Sequence, residues 1–598
     1  MYIRAKHINI IIRYIIFFIS VVFIGAAVVD YGFVLDAHEM EYVHQVYNCS
    51  WWCYFLLFNI QLGFRYKEIN RKTFTLTFLL GIALYLSAIP RFMVMPPDAT
   101  AWVKTVWQVL TNKYYTVSVL GIFAILEISR GVINFINKKT NPALLLAVGF
   151  AIIIFFGALL LLLPRSTHEH IRLTLADALF VSTSAVCVTG LSTVDIASTF
   201  SIEGQIIIAL LIQIGGLGVM TITSFFALFF MGNTGLYNQF ALRHMIGSDT
   251  FSSLLSTLIS ILGFTFIIEL SGAFLIWTNI HATMGMTIHE EIFFSLFHAV
   301  SAFCNAGFST LSGNLGNPLL MNGHNGFYLV ISLLIVLGGI GFPLLVNLKQ
   351  VANYYLTGFI RRLTDKQYHQ PRYTHLTNIN TRIVGRMTIG LILGGTLLMA
   401  LLEWNGAWTG MSNTDKLVQS LFNAVATRTA GFNSVDLTRF SLLTLIVYTF
   451  LMWIGGASQS TAGGIKVNTF AVTVANLLSV VRGSKSVTLF NREIPADSVR
   501  RASATILGSI ITMLFFFMAL VALEPDLSPR GLFFETVSAY CTVGASLNIT
   551  PQLGEASKVT VSVLMFIGRV GFITILMSII PPKETPPYRF PQDNVIIN

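Results

Sequence analysis

The feature that most constrains this chain is a short stretch that recurs four times. Take Gly190, Gly307, Gly431 and Gly544 as reference points. Five residues before them stand Ala185, Ala302, Ala426 and Ala539. Six before stand Ser184, Ser301, Val425 and Ser538, and ten before stand Phe180, Phe297, Leu421 and Phe534. Three before stand Cys187, Cys304, Arg428 and Cys541. The glycines are 117, 124 and 113 residues apart. One unit repeated four times in one chain implies pseudo-fourfold packing about a common axis.

The solvent for that packing follows from composition. The chain has 598 residues, of which 54% are hydrophobic and only 11% charged, which excludes an ordinary soluble protein. Apolar runs of about 18 residues or more recur, each long enough to cross a bilayer core. The net charge of +10 has two readings, nucleic-acid binding or positive cytoplasmic loops. The basic residues gather in alternate loops, so the second is adopted, with membrane lipid and no nucleic acid as partner. Of the five cysteines, only Cys49 and Cys53 are closely spaced, and they read as unpaired or disulfide-linked rather than as zinc ligands. The basic N-terminus and Ile10–Val29 resemble a signal peptide, but without a convincing cleavage site they read as a retained span.

Taken in order, residues 1–140 form an N-terminal transmembrane region of unassigned role, with spans expected at Ile10–Val29, Trp51–Phe64, Phe74–Ile89 and Tyr114–Ile136. Four pore repeats follow, at 141–248, 249–352, 380–482 and 498–598. Each repeat reads as a span, a short re-entrant helix, a loop carrying the reference glycine, and a second span. The second spans are expected at Ile202–Phe230, Phe327–Val346, Leu442–Val481 and Val559–Ile580. Non-helical backbone at membrane depth survives only where it lines a cavity or is buried in protein. Four re-entrant loops around one axis supply that cavity. The expected fold is therefore an all-α membrane protein with four pseudo-repeats around a central ion pore. Residues 349–386 and 482–501 are rich in Lys and Arg, which places them, and both termini, in the cytoplasm.

The chemistry of the loops follows from their backbones. A cation leaving water must be offered oxygens at similar cost, and carbonyl dipoles provide them without a fixed charge. Pointing successive carbonyls inward needs unusual dihedrals, which Gly adopts without a Cβ clash. The candidate filter is Val188-Thr189-Gly190, Asn305-Ala306-Gly307, Thr429-Ala430-Gly431 and Thr542-Val543-Gly544, with a potassium ion as the bound metal. Thr-Val-Gly is also the core of the potassium-channel filter. The plainer alternative is four ordinary glycine turns between helices.

Charges near the loops are expected to act in several ways. Arg428 would repel cations if it lined the pore, so it is expected to face backward, with Glu535 as a candidate partner. Asp195 and Asp436 are candidates either to concentrate cations at the mouth or to cap helices. Arg569 lies in an apolar stretch and must find acceptors. The stretch Leu442–Val481 is too long for one span, and its glycine-rich middle will not readily hold a helix.

Several motifs resemble the Trk/Ktr/HKT superfamily of potassium transporters. V-C-V-T-G-L, A-F-C-N-A-G-F, T-R-T-A-G-F-N and T-V-G-A-S look like its four filter loops, and the resemblance covers roughly residues 143–598. The tail Tyr588-Arg589-Phe590-Pro591-Gln592-Asp593 is similar to the ending of the Ktr membrane subunit. Ala545 departs from the larger apolar residue usual there, and Phe572 follows the G-R-V-G motif. G-G-x-x-x-S-T-A-G-G-I-K looks like the intramembrane loop beneath the filter. The role this implies is a gate, formed by Gly455, Gly456, Ser458, Ser460, Thr461, Gly463 and Gly464 with Arg569 nearby. A closely packed kinked helix is the plainer reading.

The resemblance implies potassium selectivity when all four loops carry Gly, and Gly190 matters because plant relatives with Ser there favour sodium. It also implies a homodimer with a cytoplasmic nucleotide-binding regulatory ring. The expected function is potassium uptake across the cytoplasmic membrane, with sodium coupling open and no cofactor in this chain. Alternatives are a sodium-preferring pathway, a proton-coupled transporter using Glu269, Glu403 or Glu524, and a sensor or scaffold built on residues 1–140. No constellation of enzyme residues is expected.

Overall fold

The structure is a computed structural model that describes residues 2–65, 71–95, 100–135, 142–218, 254–321, 323–364, 377–580 and 591. The described residues are mostly helical, with almost no strand. One two-stranded hairpin, Thr488–Leu489 against Arg492–Glu493, lies between repeats three and four.

The N-terminal region is a helical bundle of Tyr2–Gly32, Ala37–Arg65, Arg71–Phe92, Ala101–Thr111 and Lys113–Phe135. The helix at Ala101–Thr111 was not expected from the apolar runs. Phe23, Trp51, Leu84 and Leu120 form its core. Polar groups buried in such a bundle must be paired. The Asp30 carboxylate accepts from Tyr47 Oη at 2.9 Å and from Lys113 Nζ at 2.7 Å, tying three helices together. Trp51 Nε1 donates to Ser87 Oγ at 2.8 Å, and the Ser20 and Tyr54 hydroxyls lie 2.6 Å apart. The bundle meets repeat one where Arg165 donates to the Asp30 carbonyl at 3.4 Å.

Each repeat contributes an outer helix, a pore helix and an inner helix. The outer helices are Pro142–Leu161, Leu254–Ile280, Ile379–Glu403 and Ala496–Leu523. The pore helices are Leu175–Val186, Ile288–Phe303, Asn413–Ala426 and Pro529–Tyr540. The inner helices begin at Ile202, Asn325, Leu442 and Glu555. A Ser or Thr hydroxyl caps every pore helix: Thr174, Thr287, Ser412 and Ser528 accept from the amides of Asp177, Glu290, Asp415 and Gly531. Such caps satisfy otherwise orphaned amides and fix where each helix starts.

The inner helices are not the continuous spans that their hydropathy suggests. Asn325–Gly339 and Phe342–Gly358 meet at a bend of 100°, and Glu555–Val570 and Phe572–Ile579 at 91°. The bends fall at Gly341 (φ +85°) and Gly571 (φ +92°), a left-handed conformation that suits glycine. In repeat one the helix ends at Leu217 before Gly218 (φ +79°), and the rest of the expected span lies outside the described residues. In repeat three it stops at Trp453 and resumes at Val467. Among the described residues, the inner helices of repeats two, three and four are thus each broken or bent part-way along.

Among the described residues, four helices are long and apolar enough to cross a membrane by themselves: Tyr14–Gly32, Ile259–Ile280, Ile379–Glu403 and Ala496–Leu523. Each bent pair adds one if counted as a single span. All five cysteines are free. The tail 581–598, apart from Pro591, and residues 365–376 of the basic loop lie outside the described residues.

Candidate ion-binding filter and the loop beneath it

Each pore helix is followed by a backbone of one pattern. Val188, Asn305, Thr429 and Thr542 have φ of +57°, +60°, +62° and +50°, and the glycines two residues later have +96°, +71°, +71° and +92°. Left-handed residues at alternate positions turn the peptide planes so that carbonyls leave the helical direction. The four loops then meet. A methyl group on Gly190 would stand 2.5 Å from the Ala306 carbonyl oxygen, and one on Gly307 2.6 Å from that of Ala430. One on Gly431 would stand 2.8 Å from the Val543 oxygen, and one on Gly544 2.1 Å from the Thr189 oxygen. The carbonyl before each glycine thus faces the glycine of a neighbouring loop, in the order one, two, three, four, one. No side chain fits in that ring, which is the physical reason for glycine at all four places.

The loops are braced from behind. Thr189 N, Ala306 N and Val543 N donate to the carbonyls of Ser184, Ser301 and Ser538 at 2.7–2.8 Å. Gly190 N and Gly544 N also donate to the Ser184 and Ser538 hydroxyls, at 3.0 and 3.2 Å. Ser301 uses its hydroxyl differently, donating to the Phe308 carbonyl at 2.8 Å. Repeat three has Val425 here and lacks this brace. The hydroxyls of Thr189, Thr429 and Thr542 are buried, with no protein partner among the described residues. Unspent acceptors of this kind suit a dehydrated cation. The pore helices end on the ring, so the negative ends of their dipoles point at it.

Charged residues around the ring take positions that partly match expectation. Arg428 faces backward, donating to Thr388 Oγ1 and to the Gly455 carbonyl, both at 3.4 Å. It does not pair with Glu535, whose carboxylate instead accepts from Thr550 Oγ1 at 2.5 Å. In repeat three the inner helix stops at Trp453, and Arg428 supplies a donor to the Gly455 carbonyl left free just beyond it. At the mouth, Asp195 accepts from Ser312 and Asp436 from Asn548 Nδ2 at 3.4 Å, so each acid ties its own repeat to the next. Glu403 accepts from Ser441 N at 2.9 Å and Thr444 Oγ1 at 2.5 Å, and Glu524 from Gly554 N at 2.7 Å. Glu269 is buried beside Gln213 Nε2, which donates to it at 3.2 Å.

Packed against the ring at Thr542 lies the Gly455–Gly464 loop. Its ends are pinned by Gly455 N donating to the Ile465 carbonyl at 2.9 Å. Gly463 lies so close beneath the ring that a methyl on it would stand 1.8 Å from Thr542 Oγ1. The loop's backbone groups, denied a helix, are met by other repeats. Ala457 N donates to the Gly339 carbonyl at 2.9 Å, and Phe342 N to that of Gln459 at 3.3 Å. Thr461 Oγ1 donates to the Phe303 carbonyl at 3.2 Å. Arg569 donates through Nη1 to the Thr461 carbonyl and through Nη2 to that of Gly215 at 2.5 Å. Lys466 Nζ takes the next carbonyl, Ala462, at 2.6 Å. Ser460 closes the turn by donating to the Ala457 carbonyl at 2.7 Å, while Ser458 and Gly456 contribute backbone.

Sequence reasoning missed three parts of this arrangement. The hydroxyl braces were signalled by Ser six residues before three of the glycines. The Gly341 and Gly571 bends were signalled by Gly338-Gly339-Ile340-Gly341, whose glycines suit close helix packing, and by Gly568-Arg569-Val570-Gly571. They do pack: methyls on Gly215, Gly338 and Gly568 would stand 2.0, 1.9 and 1.9 Å from the last carbonyls of three pore helices. Lys466 stood in the motif without an assigned contact.

Known proteins resemble this chain along most of its length. The family described as TrkH, cation transport protein, matches residues 120–585. The potassium/sodium uptake protein NtpJ of Enterococcus hirae is 32% identical, over 77% of this chain and 98% of that protein. The Ktr system potassium uptake protein B of Bacillus subtilis is 34% identical, over 76% of this chain and 97% of that one. The solved structure of the potassium transporter TrkH from Vibrio parahaemolyticus superposes with a TM-score of 0.59 at 16% identity, covering 86% of this chain and 99% of that one. That likeness concerns the fold.

Proposed function

Because the chain belongs to the TrkH cation transport protein family, we propose that it takes up potassium through the four-loop ring, with Gly455–Gly464 as its gate. The protein is a multi-pass membrane protein of a transporter family. The observation that carries the reading is the ring itself. Four carbonyls, of Thr189, Ala306, Ala430 and Val543, each lie against the glycine of a neighbouring loop, and each loop grows from the carboxyl end of a pore helix.

A carbonyl ring replaces the hydration shell of a cation without binding it so tightly that it cannot leave. Membrane potential drives the ion inward through the ring, and sodium coupling remains part of the proposal. The loop beneath obstructs its exit. In the resting arrangement the carbonyls of Thr461 and Ala462 are held by Arg569 and Lys466, so two fixed cations stand close to the route. Opening requires the loop to release these donors, which movement of the cytoplasmic ends of the repeat-three helices would bring about.

The proposed setting is the cytoplasmic membrane, with both termini in the cytoplasm, a homodimer, and a nucleotide-binding ring docked on the basic segments. The names of relatives support a multi-subunit system, since they are called Ktr system proteins. The four pore repeats span 141–248, 249–352, 380–482 and 498–598 in this reading, with 1–140 as an added bundle.

Rubidium uptake into cells lacking their other potassium systems tests the function. Saturable uptake that collapses with the membrane potential is expected. Uptake no faster than in empty cells, with the protein present in the membrane, would overturn the proposal.

A further inference from the structure

Away from the ring, a cavity of about 360 Å³ opens between repeats three and four on the outer surface of the helices. Its wall includes Leu442, Ile446, Phe450 and Trp453 of the repeat-three inner helix, and Phe533 and Arg530 of the fourth pore helix. The first four lie at helical spacing and form one stripe. Leu442, Ile446 and Phe450 are 59%, 58% and 50% exposed, so the helix leaves this stripe uncovered by protein.

The groove has a length and a direction. From Leu442 to Trp453 a helix rises roughly 16 Å. That matches one leaflet of hydrocarbon, about 15 Å. Leu442 opens a helix capped by Ser441, and Arg530 stands in the first turn of one capped by Ser528. Both positive helix ends therefore lie at the same end of the groove, on the side of the ring's mouth. The opposite end is closed by Trp453, whose Nε1 donates to Ser509 Oγ at 3.3 Å. Arg530 is exposed at the rim, and among the described residues no carboxylate pairs with it. Of the two acids nearby in sequence, Glu524 already accepts from Gly554 N, and Asp526 pairs with no described cation.

We propose that this groove is a binding site for one anionic phospholipid of the leaflet on the mouth side. One acyl chain lies along the Leu442–Trp453 stripe, and the phosphate sits on Arg530. The planar guanidinium fork fits a phosphate with two hydrogen bonds, and the N-terminus of the fourth pore helix adds favourable potential for its charge, whereas the helix end at Ser441 already holds the Glu403 carboxylate. The occupant touches both moving and fixed parts of the pore. Trp453 is the last residue before the backbone turns into the Gly455–Gly464 loop, and the fourth pore helix leads into Gly544. A chain in the groove braces the helix that carries the loop against the helix that carries the filter. The site does not depend on which ion the ring passes.

The test is lipid retention, which is read without any flux. Full-length protein purified in detergent is given phosphatidylglycerol with a tenfold excess of phosphatidylcholine, and retained lipid is counted by native mass spectrometry. Wild type is expected to keep one more phosphatidylglycerol per chain than Arg530→Gln or Ile446→Trp, each variant lowering its occupancy at least about fivefold. Ile446→Trp fills the groove and leaves Arg530 intact, and thermal melting confirms that both variants fold. Equal retention in all three proteins overturns the proposal, as does displacement by phosphatidylcholine. So does a disulfide between two copies carrying Ile446→Cys at the groove, which would assign the surface to a second chain.

Discussion

The guanidinium of Arg569 donates to the carbonyl of Thr461, so the last repeat is tied to the loop that interrupts the inner helix of the third. The same side chain reaches the Gly215 carbonyl of repeat one at 2.5 Å. Three repeats are joined by one half-buried cation, and each such charge-assisted bond contributes about 1.5–3 kcal/mol. Replacing Arg569 by Gln is expected to raise rubidium flux and lower the thermal midpoint, with Arg569→Lys intermediate because it keeps the charge and loses the fork. Flux in vesicles is compared at equal amounts of folded protein. Unchanged flux in a normally folded Gln variant would contradict the role.

Deleting Ser458–Ala462 removes the carbonyls that Arg569 and Lys466 hold. Flux is expected to rise and to lose its dependence on any regulatory subunit or nucleotide. A deletion that folds normally and leaves both unchanged would show that the loop is packing alone.

The glycines of the ring are not equally tolerant. A methyl group meets backbone at 2.1 Å on Gly544, 2.5 Å on Gly190 and Gly307, and 2.8 Å on Gly431. Backbone in the ring cannot yield as a flexible side chain would. Alanine is therefore expected to be most damaging at Gly544 and least at Gly431, scored as the ratio of rubidium to sodium uptake. The reverse order would mean that the four loops do not meet as described.

The two mouth acids make a separate prediction. Asp195 and Asp436 are exposed and each stands five residues after a ring glycine, and fixed negative charge near a pore mouth concentrates cations. Asp436→Asn keeps the size of the side chain and is expected to lower uptake severalfold at low ionic strength. The loss should fade in about 0.15 M salt, where the Debye length falls to about 8 Å. A loss that ignores salt would assign Asp436 to holding Asn548 instead.

Much of this arrangement was legible in the chain because fourfold repetition turns a weak motif into a strong one. A single Thr542-Val543-Gly544 says little, whereas four glycines with Ala at one fixed offset place four loops on one axis. The interrupted helix was legible from Gly455 to Gly464 because four glycines and small polar residues cannot sustain a helix. Partners were less legible. The Arg428–Glu535 pairing failed because sequence distance says nothing about which freed carbonyl lies nearest, and Gly455 lies nearer than Glu535. The bends at Gly341 and Gly571 were hidden because apolar residues continue on both sides, and hydropathy is blind to a left-handed φ. The Ala101–Thr111 helix was missed because it is too short and too mixed in polarity to read as a span.

The central claim is that four glycines let carbonyls alone select the ion, and sodium competition tests it most directly. Purified wild type and Gly190→Ser are placed in liposomes, and rubidium uptake is measured while external sodium is raised. The account predicts that wild type resists sodium, and that the Ser variant, with a side chain forced toward the Ala306 carbonyl, is inhibited by it. Equal sodium inhibition of the two proteins would contradict the account.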